Sequence, residues 1–200
     1  MDTLDANYWN TRWEAGQTGW DIGQASPPLI EYAATVPPSE RAAMQVLIPG
    51  CGNAHEAREL LRMGYGELTL LDIAPQALAQ ARARFEAQGE TFAGHIRWVC
   101  ADFFAHEDIY DLILEQTFFC ALNPALRPRY ALQMHALLRP GGRLAGVLFD
   151  RTFEGGPPFG GSISEYRALF EPLFEIETLA SCPNSIAPRS GSEAFFVVRK

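Results

Sequence analysis

The chain has 200 residues, 48% of them apolar, which is enough to bury one sizeable core and build a single domain rather than two. A net charge of −8 argues against a nucleic-acid surface, because sixteen basic residues include only one lysine, Lys200, and the arginines are scattered. The opening MDTLDANYWN is acidic without the apolar stretch of a leader, and no apolar run reaches the length of a membrane span, so a soluble, cytoplasmic protein with no membrane partner is expected.

Residues 1–44 form an extension ahead of the regular pattern. YWNTRW is helical in spacing, with Trp9 and Trp13 four apart on one face, and Trp20 follows the glycine-bounded turn in GQTGWD. From position 45 strand and helix patterns alternate, the sign of a parallel sheet covered by helices. The strands read QVLIP, ELTLLD, HIRWVCA, YDLILE and GRLAGVLF. The helices read AHEARELLRMG, PQALAQARARFEAQG, whose Pro75 suits a first turn, and RPRYALQMHALL, expected to end at the Pro-Gly-Gly turn of residues 140–142. A helix near SISEYRALF precedes FEIETLA and EAFFVVRK, two strand-like runs joined by a polar loop with no helical pattern. Such a connection favours an antiparallel hairpin, since parallel neighbours need a crossover. Proline and glycine clusters at 27–28, 37–38 and 155–161 read as loops. Cys51, Cys100, Cys120 and Cys182 show no CxxC pair and no zinc-finger histidine spacing, so buried free thiols are expected, with no metal site and no disulfide framework.

The stretch VLIPGCGNAHE runs from a strand into a turn with Gly50 and Gly52, where the backbone can approach a ligand and the next helix offers free N–H groups. Alone it is a weak signal. Asp72 strengthens it, ending the second strand with Ile73 beside it, where an acid can accept both hydroxyls of a ribose. The third strand ends in Asp102 and Phe103, an acid and a ring that suit adenine as well as they suit a capped turn. A nicotinamide dinucleotide domain competes as a reading, but it wants a third glycine for its pyrophosphate where this chain has Ala54 and His55.

WNTRWEAGQTGWDIGQASPPL, VLIPGCGNAHE, LLDIAP, YDLILEQTFFCALNPALRPRYALQMHALLRPGGRL and GGPPFGGSISEYRALF together resemble the thiopurine S-methyltransferase family, in particular its thiol and halide methyltransferase branch. The resemblance implies an α/β, Rossmann-like class I methyltransferase fold: a seven-stranded, mostly parallel sheet with a C-terminal antiparallel hairpin, and residues 1–44 as a helical lid on a core of residues 45–200. It implies S-adenosyl-L-methionine as cofactor, with Trp9, Trp13, Trp20, Gly50, Gly52, Asp72, Ile73, Asp102, Phe103 and Gln116 as its contacts. Arg127, in NPALR, falls at a position that meets the cofactor carboxylate or the substrate, and Phe119 is taken with it at the reacting centre. One departure stands out: many methyltransferases carry an acid just before the glycine loop, and here that place is Pro49, so the methionyl ammonium must be met elsewhere, with loop carbonyls as the first guess.

Methyl transfer to a soft nucleophile is an in-line displacement that needs alignment and no covalent enzyme intermediate. A thiol of pKa about 8.5 is partly ionised at neutral pH and a halide needs no base, so the lack of a catalytic triad is consistent. The expected acceptor is a small thiol, thiopurine, halide or thiocyanate in an apolar pocket lined by Phe118, Phe119, Pro158 and Phe159, with Arg127 or Arg151 attracting an anion. GGPPFGG resembles a mobile active-site loop. A monomer is expected. The alternatives are a nicotinamide-dependent oxidoreductase and a non-catalytic binder of S-adenosylmethionine.

Overall fold

The computed structural model describes residues 4–200. Helix α1 (Ala6–Glu14) is started by Asp5, whose carboxylate accepts from Tyr8 N–H at 2.9 Å. Two helices follow where the proline clusters suggested loops: α2 (Pro27–Thr35) and the short α3 (Pro38–Arg41). The correction has a simple cause, because proline at a helix start lacks only an N–H that would have had no partner there. The regular pattern then runs β1 (Gln45–Pro49), α4 (His55–Arg62), β2 (Glu67–Asp72), α5 (Pro75–Ala87), β3 (His95–Cys100), β4 (Tyr110–Gln116), the one-turn α6 (Phe118–Ala121), α7 (Arg127–Leu137), β5 (Leu138–Phe149), α8 (Ile163–Phe170), β6 (Glu175–Ser181) and β7 (Glu193–Arg199).

Among the described residues seven strands form one sheet in the order β3-β2-β1-β4-β5-β7-β6. The first five are parallel, and β7 inserts antiparallel between β5 and β6 as the expected hairpin. Alternate residues of each strand face opposite sides. Leu47, Ile113 and Leu144 therefore join Tyr130, Phe170 and Phe196 in one apolar cluster, while Val46, Ile48, Leu68 and Val197 join Leu29, Leu60 and Leu61 in the other. Each fully buried leucine or phenylalanine contributes about 1.5–3 kcal/mol.

Two further expectations change. Helix α7 passes straight into β5, and Pro140-Gly141-Gly142 sits inside that strand as a shift in its register with β4, with Gly141 at φ +79°. A bulge of this kind absorbs a proline that regular pairing would not. Three cysteines are buried as expected, but Cys100 is exposed, because it ends β3 at the open edge of the sheet. Among the described residues no helix is long and apolar enough to cross a membrane.

Candidate functional site

The sheet order reverses between β1 and β4, and at such a switch point the loops leaving neighbouring strands splay apart and open a crevice above their carboxyl ends. A cleft of about 820 Å³ lies there, within the range of small-molecule sites. It is floored by the loop after β1 and walled by the ends of β2, β3 and β4, with residues from the N-terminal segment closing the other side.

The glycine loop is shaped for close approach. Gly50 and Gly52 have φ of +57° and +51°, and a Cβ on Gly50 would stand 2.3 Å from the Phe118 ring. A Cβ on Gly52 would meet Trp13 at 3.4 Å. Among the described residues two non-glycines have positive φ, Ala54 and Thr117, and they sit at the starts of α4 and α6 beside this cleft. Strain of that kind costs of order 1–3 kcal/mol and collects where geometry serves a site.

Asp72 is buried at the end of β2. Its Oδ2 accepts from Gly52 N–H at 3.0 Å and its Oδ1 from Ala74 N–H at 2.9 Å, so it braces the loop and starts the next helix. Burial pushes its carboxyl up, opposed by the N–H groups of Ala74, Gly52 and Ile73. A carboxylate has about four lone-pair positions, so with Gly52, Ala74 and Ile73 as donors an acceptor position remains for a hydroxyl. Asp102 accepts from Phe104 N–H through Oδ1, the cap read from the sequence, and Phe103 packs edge-on to Phe118 with centroids 5.1 Å apart.

The tryptophans stack as a separate small core. Trp20 lies edge-on to both Trp9 and Trp13, at 5.4 and 5.8 Å, and Trp13 packs on Ala74, just before α5, and on Ala77 within it. Polar ties fasten this segment to the rest. Asn10 accepts from Gln76 N–H, Arg189 donates to Trp20 C=O at 2.7 Å, and Asp21 meets both Asn53 and His55 of the glycine loop.

Trp9, Trp13, Trp20, Gly50, Gly52, Asp72, Ile73, Asp102, Phe103 and Gln116 all border the cleft, as do Phe118 and Pro158. Arg127 and Phe119 do not. Phe119 is fully buried among Tyr130 and Tyr166, and Arg127 lies over its ring at 4.7 Å while donating to Gly160 C=O at 2.6 Å. The start of α7 faces the 155–161 loop, so the arginine anchors that loop from behind. Phe159 N–H to Cys120 C=O and Gly161 N–H to Arg151 C=O complete the anchorage, and Pro157 and Pro158 form the part that borders the cleft. Phe159 is itself buried, and Arg151 lies over Phe153, away from the cleft.

Of the charged groups at the cleft that the sequence did not single out, Asp21 and Arg189 tie the N-terminal segment to the rest. Asp21 follows the flagged Trp20 directly, and its neighbour was the available signal. Arg189, in a 3₁₀ turn between β6 and β7, borders the cleft with its guanidinium 5.0 Å above Phe149, and no local motif marks it. Among the described residues no cluster of three or more His, Cys, Asp or Glu could hold a metal ion.

Comparison with known proteins adds a consistent set of likenesses. The family model described as thiopurine S-methyltransferase (TPMT) matches residues 4–198. A probable thiol methyltransferase 2 from Arabidopsis thaliana is 34% identical, covering 96% of this chain and 84% of the relative. Thiocyanate methyltransferase 1 of Brassica oleracea is 32% identical with the same coverages, and the thiopurine S-methyltransferase of Pseudomonas fluorescens is 29% identical over 88% and 86%. In fold, magnesium protoporphyrin IX methyltransferase from Synechocystis, solved with bound SAH, superposes with a TM-score of 0.72 at 13% identity, covering 98% and 97% of the two chains.

Proposed function

The chain belongs to the thiopurine S-methyltransferase family, and on that premise we propose that it moves a methyl group from S-adenosylmethionine to a small soft nucleophile, a thiol or an anion such as thiocyanate or a halide. The observation that carries this reading is the convergence of the glycine loop, Asp72 and three tryptophans on one cleft. The residues fit the cofactor: Gly50 and Gly52 let Phe118 and Trp13 close on the bare backbone of the loop, and Asp72 retains an acceptor position for a ribose hydroxyl. Asp72 and Ile73 would hold the ribose side, and Asp102, Phe103 and Gln116 the adenine side. Bound there, the cofactor supplies a methyl on a sulfonium, which is electrophilic without any metal or base.

The chain's part is binding, orientation and exclusion of water. Trp9, Trp13 and Trp20 present aromatic faces that attract a cation, and residues 4–24 act as the lid that keeps water from the methyl. Phe118, Phe149, Pro157 and Pro158 make the acceptor side apolar, so an attacking anion is poorly hydrated and more reactive. Arg189, ion-paired with the buried Glu193 and lying over Phe149, puts a guanidinium on this apolar side to attract the anion, the role the sequence reading gave to Arg127 or Arg151. Arg127 and Phe119 support the acceptor wall through the 155–161 loop and α6. The protein works as a soluble cytoplasmic monomer without nucleic-acid partners. Membership of this family removes the nicotinamide-dependent oxidoreductase from consideration.

The test is turnover. Purified protein given S-adenosylmethionine with a panel of thiols, thiopurines, iodide and thiocyanate should release S-adenosylhomocysteine with at least one acceptor. Tight cofactor binding with no turnover on any of them would favour the non-catalytic binder.

A further inference from the structure

Resting on that reading of the cleft, the geometry points to Asp21, in the N-terminal segment, as the acid that receives the cofactor's methionyl ammonium in place of the one absent at Pro49. The sheet fixes where the tail lies. Along its carboxyl edge run Asp102 after β3, Asp72 on β2, the glycine loop after β1 and Gln116 on β4. With adenine at the first of these and ribose at the second, the amino-acid tail falls over the β1 loop, where Pro49 offers no side-chain acceptor.

Among the described residues five acids border the cleft, and four are committed elsewhere. Asp5 is exposed and caps α1, Asp102 caps the turn at Phe104, and Asp72 braces Gly52 and Ala74. Glu56 accepts from Ser26 N–H at 3.0 Å and is pushed toward its neutral form by burial. Asp21 alone of the five bonds to side chains of the β1 loop. Its Oδ1 is filled by His55 Nε2 and Gly23 N–H, both at 2.8 Å, while Oδ2 meets only the Asn53 amide and keeps one acceptor position. The carboxylate stays charged: burial works against it, but the bonds from His55, Gly23 and Asn53 outweigh burial and hold it below the usual range. Asn53 Oδ1, on the same amide, is buried without a hydrogen-bond partner, a second acceptor suited to an ammonium with three donors. The lid would then be fastened to the cofactor as well as to the loop, since the residue that ties it to Asn53 and His55 also binds the ligand beneath it.

Two ligands separate this role from a simple latch. S-adenosylhomocysteine carries the ammonium, and 5′-methylthioadenosine has the same adenosyl-sulfur portion without the amino-acid tail. By isothermal titration, Asp21→Asn should weaken S-adenosylhomocysteine about ten- to a hundredfold while 5′-methylthioadenosine changes by less than about twofold. His55→Gln, which removes the imidazole from Oδ1 but keeps the carboxylate, should shift both ligands by the same factor, under about twofold. An unchanged melting temperature of each variant confirms that the fold is intact. Equal weakening of both ligands in Asp21→Asn would make Asp21 a latch and overturn the assignment while leaving the methyltransferase reading in place. So would a tail-selective loss in Glu56→Gln with none in Asp21→Asn. If the wild-type protein bound neither ligand, the reading of the cleft itself would fail.

Discussion

The sheet buries side chains on both faces, with Leu47, Leu144, Phe170 and Phe196 on one and Val46, Leu68 and Val197 on the other, whereas the N-terminal segment of residues 4–24 buries little beyond Trp13. What fixes that segment is a trio of stacked rings and a few polar ties, from Asn10, Asp21 and Trp20 to α5, the glycine loop and the β6–β7 connection. A region held by area resists opening up to the global stability, while one held by a few contacts can open by itself. The more weakly held region therefore suits a cover over a ligand site, because it can admit the ligand without disturbing the sheet that positions Asp72 and the glycines.

Substitutions can break this contrast. Phe196→Ala empties a fully buried site stacked on Phe170, and should cost about 3–5 kcal/mol in denaturant unfolding. Gly50→Ala should leave the sheet standing but weaken S-adenosylhomocysteine about a hundredfold, since the new methyl meets Phe118 and the positive φ is strained. Native-like circular dichroism with unchanged affinity would remove the loop from the site. Trp13→Ala should lower affinity about tenfold while shifting the melting temperature less than Phe196→Ala does. A larger shift would mean that the segment unfolds together with the sheet.

The last effect is one of pH. Glu115 is fully buried, its carboxyl pushed up to about 8 by burial, against the N–H groups of Phe119 and Phe118. In the unfolded chain it ionises near 4.5, so between about 4.5 and 8 the unfolded state releases a proton that the folded state keeps. Stability from this group is full below the unfolded value and declines as pH rises through that window. Glu115→Gln should flatten the decline in melting temperature between pH 5 and 8, and an equally steep profile would show that another group sets it.

Much of the scaffold was legible because it is written in short-range periodicity. Strands of alternating or continuous apolar residues, helices at three and four spacing, and the long polar link before EAFFVVRK each report their own element, and the sheet followed from them. The prolines at 27–28 and 37–38 misled because the same residue breaks a helix interior and starts a helix. At the site, Asp72 and the two glycines were legible since both follow strand ends whose positions the pattern fixes.

By itself, then, the sequence determined the order of the sheet strands and their crossover helices, the glycine loop, the acid twenty residues on and the tryptophan-rich segment. Only the tertiary structure decided which charges share the cleft. It brought Asp21 to His55 across 34 residues and Arg189 to Trp20 across 169, and turned Arg127 away from the cleft to hold Gly160. Local patterns record what each residue does to its own segment, but partners so far apart meet only because parallel strands and their crossovers stack distant loops on one edge of the sheet.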